Sequence, residues 1–196
     1  RGGSEYCEKW HEDGMLDKKQ NVFDDFISAA EYLISENYTS SQYLAIGGGS
    51  NGGLLVSACM LQRPDLFRVV NCGVPVTDML RYHKFTIGWA WVPEYGSSED
   101  PDQFEFLYQY SPVHNVKANS KYPSMLISTG DHDDRVVPSH SYKLIAELQS
   151  KNTSDNPMFL RVHSKSGHGA GKPTHQIIHE RAQTWGFILH EMGISR

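Results

Sequence analysis

The sequence predicts an α/β fold: a mostly parallel sheet with helices on both faces. The first observation behind this prediction is that apolar runs of strand length alternate with runs of helix length, as in repeated βαβ units. The second is a glycine-rich turn, Gly47–Gly53, that joins the apolar run Tyr43–Ile46 directly to a helix-length run. The chain has 196 residues, which is enough for one domain with a sizeable core.

The elements predicted before residue 77 are a loop, a helix, a strand, a second helix and a second strand. The first helix is expected to begin at a cap on Asn21, because apolar residues recur at helical spacing after it. The second helix must end at Pro64. These elements occupy residues 1–16, 21–34, 43–46, 54–61 and 69–76.

The pattern changes in residues 77–119, where aromatic side chains crowd together without clean periodicity. We interpret this segment as a partly helical insertion that covers one end of the sheet. A strand, a helix and a strand follow at residues 124–129, 139–150 and 158–163. A final helix is predicted from Thr174 by apolar residues at spacings of three and four. They are Ile178, Ala182, Trp185, Leu189 and Met192.

Composition excludes several classes of partner. The net charge is −5 and no Lys/Arg cluster occurs, so nucleic acid is not an expected partner. No apolar run approaches the length that spans a membrane, so no membrane association is expected either. Three cysteines, an odd number without paired spacing, favour reduced thiols and a cytoplasmic location. They are Cys7, Cys59 and Cys72.

A Gly-x-Ser-x-Gly motif stands in the glycine-rich turn, at Gly48, Ser50 and Gly52. In a strand–turn–helix of this kind the serine is exposed, and side chains two residues to either side are expected to collide. The following helix aims its first amides at charge that forms beside the serine. The motif therefore favours a nucleophilic serine. The alternatives are a phosphate-binding turn and a plain tight turn.

A serine nucleophile needs a base to take its proton and a carboxylate to orient that base. The strand at residues 124–129 is followed by an acidic loop in which Asp131, Asp133 and Asp134 compete for the role of the acid. The next strand is followed by His168, which lies between two glycines. The chain order serine, acid, histidine, each after a strand, is that of an α/β-hydrolase. Spacing alone does not choose among the three acids.

The same residues have other interpretations. Asp131, His132 and Asp133 suggest a metal site, but no second cluster has the spacing to complete one, and no metal is expected. A histidine in a glycine-rich loop is more often structural when seen alone. In the third position of a triad, the same histidine is expected to be the base.

Specific motifs occur from one end of the chain to the other, and together they resemble the prolyl oligopeptidase family. They are Arg1-Gly2-Gly3, Trp10-His11, Lys19-Gln20-Asn21, the elbow at 48–53, residues 62–67, Asp78-Met79-Leu80, Tyr110-Ser111-Pro112, and residues 131–138 and 167–173. The resemblance implies a serine endopeptidase that hydrolyses short peptides on the carboxyl side of proline through an acyl-enzyme. It implies no cofactor.

The resemblance also implies roles for individual residues. It makes Asp133 the acid and His168 the base for Ser50, and it puts the Asn51 backbone amide in the oxyanion hole. It implies that Trp91 stacks on the substrate proline. An aromatic platform suits proline because the ring offers an apolar face, although core packing is the alternative for this tryptophan. The remaining substrate-binding residues that it implies are Arg135, on a substrate carbonyl, and Val76, Ile87, Tyr95 and Val136, around the proline.

Members of the family are far longer than this chain. The resemblance implies that residues 1–196 are the C-terminal part of an S9-type α/β-hydrolase catalytic domain. Its partners would be the β-propeller and the N-terminal hydrolase segment of the same protein, which supplies the first strands and a tyrosine donor to the oxyanion hole. Pro75 stands where relatives usually have glycine, which is expected to alter the strand end before Val76. The rival interpretations are a related oligopeptidase or esterase of other specificity and a non-catalytic hydrolase-fold fragment.

Overall fold

The structure, a computed structural model, describes residues 1–169 and 172–194. Its four strands form one sheet in the order β1-β2-β3-β4, and every neighbouring pair is parallel. The parallel sheet predicted from the alternating pattern is therefore confirmed. The strands are β1 (Ala45–Gly49), β2 (Val69–Gly73), β3 (Ser124–Gly130) and β4 (Met158–His163).

Helices fill the connections between the strands. Three short helices and two 3₁₀ turns lie between β2 and β3, which confirms the partly helical insertion. The α-helices are α1 (Glu8–Glu12), α2 (Gln20–Ser35), α3 (Asn51–Gln62), α4 (Val92–Tyr95), α5 (Pro101–Tyr110), α6 (Pro112–Asn115), α7 (Ser139–Lys151) and α8 (Thr174–Glu191). The two 3₁₀ turns of the insertion are Tyr82–Lys84 and Gly88–Trp91.

The two faces of the sheet differ in character. On one face the side chains of β2 and β3 are fully buried, and the Cys72 sulfur lies 3.2 Å from the Ser57 hydroxyl of α3. Strands that follow one another in a parallel sheet with right-handed crossovers place their connecting helices on this same face. The opposite face carries Asn71, Gly73 and Ser128, and α8 lies across it over a groove of about 620 Å³. Helices thus cover both faces, as predicted.

Three local expectations were wrong. Asn21 does not cap α2, which begins at Gln20; its amide instead donates to the Asp13 carbonyl at 2.8 Å and fixes the preceding loop. The strand predicted to run to residue 76 ends at Gly73, because Val74 takes a positive φ of 39° that leaves the sheet. The first strand begins at Ala45 rather than at residue 43 and continues through the glycines.

The apolar stripe on the last helix predicted the helix correctly, but it did not predict which side of the helix is buried. Ile178 and Trp185 are 64% and 58% exposed, whereas Ile188, outside the stripe, is buried. Helical periodicity reports which residues share a face, and it does not report what covers that face.

Candidate active site

Ser50 stands in a strained turn between β1 and α3. Its φ of 58° and ψ of −117° lie where side chains other than glycine are rarely found. The turn is fixed from both sides. The Ser50 N–H donates to the Gly73 carbonyl of β2 at 2.9 Å, and the Ser50 carbonyl accepts from the N–H groups of Gly53 and Leu54. This is the backbone geometry that the Gly-x-Ser-x-Gly motif predicted.

The expected crowding around the serine is confirmed on one side only. A β-carbon on Gly48 would lie 2.1 Å from the Gly52 carbonyl oxygen, so no side chain fits there. A β-carbon on Gly52 would meet nothing within 4 Å in the described residues, so the expected collision there was wrong. The crowded glycine after the serine is Gly53, where a β-carbon would lie 2.6 Å from Pro75.

Alanine substitutions test this difference. We expect Gly48→Ala to lower the free energy of unfolding by about 1–3 kcal/mol. The added methyl group would meet a backbone carbonyl oxygen, which cannot move away as a flexible side chain can. Gly52→Ala is the matched control, and it should be neutral or stabilise α3 by up to about 1 kcal/mol. Urea denaturation of the two variants measures both values. Equal losses in both would contradict the steric explanation.

Asp133 and His168 lie together at the carboxyl ends of β3 and β4. The Asp133 Oδ2 atom is 2.7 Å from His168 Nδ1, and its Oδ1 atom accepts the N–H groups of Arg135 and Val136 at 3.0 and 2.9 Å. Asp133 is 3% exposed. Burial alone would raise the pKa of Asp133, but the hydrogen bonds from His168 and from these two amides hold it below the ordinary value.

This contact settles which ring nitrogen can act as a base. An ionised Asp133 has only acceptor atoms, so His168 Nδ1 must carry a proton to bond it. In the neutral ring the other nitrogen, Nε2, then has a free lone pair that can accept a proton. Ser50 Oγ makes no hydrogen bond to a described residue, so proton transfer from Ser50 to His168 stays a prediction.

The two other acids that the sequence left open do not contact His168. Asp131 Oδ1 is 2.6 Å from His132 Nδ1 and accepts the Ser166 N–H at 3.2 Å. Asp134 is exposed and has no hydrogen-bond partner among the described residues. Of the three acids, only Asp133 is placed to orient His168.

The acid loop and the histidine loop are bound to each other through their backbones. The Asp131 N–H donates to the His163 carbonyl and the His132 N–H to the Ser166 carbonyl, each at 3.1 Å. A β-carbon on Gly130 would lie 2.2 Å from the Ser166 carbonyl oxygen, so this close approach requires glycine. No motif in the sequence marks Gly130 as part of the site.

A cavity of about 250 Å³ opens beside Ser50. It brings together four of the six residues that the family resemblance assigned to the substrate. Arg135 lines it with a guanidinium that has no partner among the described residues, and Trp91 lines it while packing at 6.4 Å over the ring of Tyr82. The lining residues are Ser50, Asn51, Val76, Trp91, Glu94, Tyr95 and Arg135.

The two other residues proposed for substrate binding lie elsewhere. Val136 is 2% exposed and belongs to the core, and Ile87 is 45% exposed on the surface. Neither lines the cavity beside Ser50 in the described structure. The predicted oxyanion donor is available, because the Asn51 N–H makes no hydrogen bond to a described residue.

A polar cluster at the rim of this cavity has no signal in the sequence. The two Glu94 carboxylate oxygens each lie 3.0 Å from a nitrogen, one from Lys19 Nζ and the other from His11 Nε2. Lys19 is 2% exposed. Lys19 and His11 lie in two of the motifs that carry the family resemblance, but nothing in their spacing links them to Glu94.

No group of three or more His, Cys, Asp or Glu side chains in residues 1–169 and 172–194 is placed to hold a metal ion. Among the helices of that same part of the chain, none combines the length and the apolar character needed to cross a membrane.

Comparison with known proteins identifies the family to which the chain is similar. The model of the prolyl oligopeptidase family, Peptidase_S9, matches residues 1–195. A prolyl endopeptidase of Elizabethkingia miricola is 55% identical over 195 residues, which are 99% of this chain and 28% of that protein. A prolyl endopeptidase of Dictyostelium discoideum is 55% identical over 197 residues, 99% of this chain and 26% of that protein. The chain thus spans less than a third of these relatives.

Solved structures of similar proteins share the fold. One from a structural and mechanistic study of two prolyl endopeptidases superposes with a TM-score of 0.97 at 46% identity, over all of this chain and 29% of that one. A post-proline cleaving enzyme from Rickettsia typhi superposes with a TM-score of 0.93 at 38% identity, over 99% of this chain and 28% of that one. The fold is that of the α/β-hydrolases.

Proposed function

This chain belongs to the prolyl oligopeptidase family, and from that membership we propose that it carries the catalytic site of a serine endopeptidase acting on short peptides on the carboxyl side of proline. The observation that carries the proposal is the Asp133–His168 pair, 2.7 Å apart, at the same sheet edge as a serine held in a strained elbow. A strained nucleophile turn and an oriented base are features of catalytic sites more than of binding surfaces.

The chemistry follows from these positions. Ser50 Oγ attacks the carbonyl carbon of the substrate proline while His168 Nε2 takes the serine proton. The carbonyl oxygen becomes an oxyanion that the free Asn51 N–H can stabilise. The intermediate collapses to an acyl-enzyme as His168 gives its proton to the departing amine, and water then hydrolyses the ester by the same route. Asp133 stabilises the imidazolium throughout. The proposed reaction requires no cofactor.

The cavity beside Ser50 suits proline. Trp91 and Val76 give it apolar walls, and proline is an apolar ring whose nitrogen carries no proton in a peptide. The Arg135 guanidinium, which has no partner in the described part of the chain, is a donor at the rim for a backbone carbonyl of the substrate. We propose that Ile87 and Val136 contribute less directly, Val136 by packing behind the wall.

A specificity for basic residues is the strongest rival, because an acidic side chain does line the cavity. Glu94 would attract a substrate lysine or arginine if its charge were free. Both of its oxygens, however, are already occupied by Lys19 and His11 within the protein. A basic substrate side chain would have to compete with Lys19 and His11 for these oxygens, which disfavours this alternative.

We propose that residues 1–196 form the C-terminal part of an S9-type hydrolase domain, whose partners are a β-propeller and an N-terminal hydrolase segment of the same protein. Two features support the second partner. The edge of β1 has no strand paired to it in the described residues, and the groove under α8 is open. We also propose a cytoplasmic location, which the free thiols Cys59 and Cys72 support.

Trp91→Ala tests the proline specificity. In the natural protein that contains this chain, the variant should lose roughly ten- to two-hundred-fold in the ratio of kcat/KM for a proline peptide to that for its alanine counterpart. The reason is the loss of about 1–3 kcal/mol of apolar contact with the proline ring. Kinetics on the paired peptides measure this ratio.

Trp89→Ala is the matched control, since Trp89 lies in the same 3₁₀ turn but is 68% exposed and does not line the cavity. Its ratio should equal that of the wild type. An unchanged ratio in Trp91→Ala would assign this tryptophan to the core instead.

A further inference from the structure

The hydroxyl of Tyr95 connects the wall of the cavity to the residue after the serine. Tyr95 Oη donates to the Asn51 side-chain oxygen, Oδ1, at 2.8 Å. Tyr95 is 5% exposed, whereas Asn51 is exposed and is the first residue of α3. The expected roles of the two residues, proline contact for Tyr95 and a backbone donor for Asn51, do not require this bond.

Tyr95 is held rigidly from two sides. Its ring meets the Tyr82 ring edge-on, with centroids 5.4 Å apart, and the Lys19 ammonium lies 5.1 Å above its centroid. Lys19 is fixed in turn by its ion pair with Glu94, the residue before Tyr95. Rotation of the Tyr95 ring would weaken the cation–π contact with this fixed ammonium, so the arrangement resists it.

The chain beyond Tyr95 is also constrained. Gly96 has a φ of 89°, and its carbonyl accepts the Tyr82 hydroxyl. A β-carbon on Gly96 would lie 2.8 Å from the Gln103 side chain. The short helix α4 therefore presents the Tyr95 hydroxyl from a fixed position.

The position of Asn51 explains why such an anchor matters here. Asn51 is the first residue of α3, directly after the strained Ser50, and its N–H makes no hydrogen bond to a described residue. No helical hydrogen bond therefore fixes the direction of this N–H, which is the proposed oxyanion donor. The bond from the Tyr95 hydroxyl to Oδ1 fixes the Asn51 side chain, and with it the residue that carries the donor.

We propose that Tyr95 is a positioning residue for the oxyanion hole: its hydroxyl anchors the Asn51 side chain and so holds the Asn51 N–H in place at the start of α3. The inference rests on the proposed acyl-transfer function. It separates the Tyr95 ring, which faces the cavity, from the Tyr95 hydroxyl, which acts through Asn51.

Tyr95→Phe removes the hydroxyl and keeps the ring. In the natural protein that contains this chain, we expect the single-turnover rate of Ser50 acylation to fall by roughly three- to tenfold, the effect of one neutral hydrogen bond. Binding of a peptidyl-prolinal aldehyde, which forms an oxyanion on Ser50, should weaken by a similar factor. Binding of the corresponding alcohol, which forms none, should not change.

Two further variants make the test specific. Asn51→Ala keeps the backbone N–H, and Tyr95→Phe should have no additional effect in that background. Tyr110→Phe is the matched control: Tyr110 is another buried tyrosine, and its hydroxyl has no partner among the described residues. It should leave acylation unchanged.

Three results would overturn the inference alone. The first is an unaltered acylation rate in Tyr95→Phe, and the second is the same loss with and without the Asn51 side chain. The third is an equal loss of binding for the aldehyde and the alcohol, because that would show that Tyr95 only contacts the ligand in the cavity. A wild-type protein that forms no acyl-enzyme would overturn the proposed function itself.

Discussion

Ser50→Ala should abolish acyl-enzyme formation in the natural protein that contains this chain. The substitution removes the atom proposed to form the covalent bond with the substrate, and the members of a triad act as a unit, so turnover is expected to fall by roughly 10⁶-fold. His168→Ala should cost nearly as much. Labelling by a fluorophosphonate and hydrolysis of a proline peptide measure the two losses.

Ser41→Ala, in the turn before β1, is the control for these variants and should label like the wild type. Covalent labelling of Ser50→Ala at the wild-type rate would show that another residue is the nucleophile. It would also leave the strained backbone at Ser50 without a catalytic explanation.

Asp133→Asn should lower kcat by about 10⁴-fold with little change in KM. An amide can donate to His168 Nδ1 and so stabilise the tautomer that has no base at Nε2. In the wild type the pKa of Asp133 lies below 3.8, its ordinary value, because the hydrogen bonds from His168 and two amides outweigh burial. The carboxylate therefore persists as the pH falls towards that value, and its stabilising contribution is lost only below it.

Asp134→Asn is the matched control, because this neighbouring acid is exposed and has no partner in the described residues. It should retain wild-type turnover. If Asp134→Asn were as damaging as Asp133→Asn, the orienting acid would have been misassigned despite the 2.7 Å contact.

Regular elements were predictable from the sequence because local pattern determines them. The strand at residues 158–163 has the predicted limits, and the elbow was predicted from three residues. The predicted helix cap at Asn21 was wrong because the Asn21 side-chain amide donates to a loop carbonyl outside the helix. The prediction of crowding at Gly52 was wrong because tertiary packing decides which atoms lie next to a glycine. In this fold Pro75 packs against Gly53 and not against Gly52.

The site was less predictable where its parts are distant in sequence. Spacing could not choose among the three acids, because the choice depends on a histidine 35 residues further along the chain. The Lys19–Glu94 ion pair joins residues that are 75 positions apart in the sequence, and no pattern in either segment indicates it. The sequence also did not indicate that the apolar stripe of α8 is exposed, since helical periodicity carries no information about which elements pack against a helix.

The backbone contacts between the loop after β3 and the loop after β4 have a mechanical consequence. Two N–H···O bonds and the close approach at Gly130 join the two loops, so the contact between Asp133 and His168 is held by a backbone that the loops share. Ser50 is attached elsewhere on the same sheet, through the bond from its N–H to the Gly73 carbonyl of β2. Under the proposed mechanism, a substitution that shifts the loop after β4 relative to β2 would change the gap between Ser50 and His168 and leave the acid–base contact intact. We expect such a substitution to lower reactivity towards a serine-directed reagent without breaking the Asp133–His168 hydrogen bond.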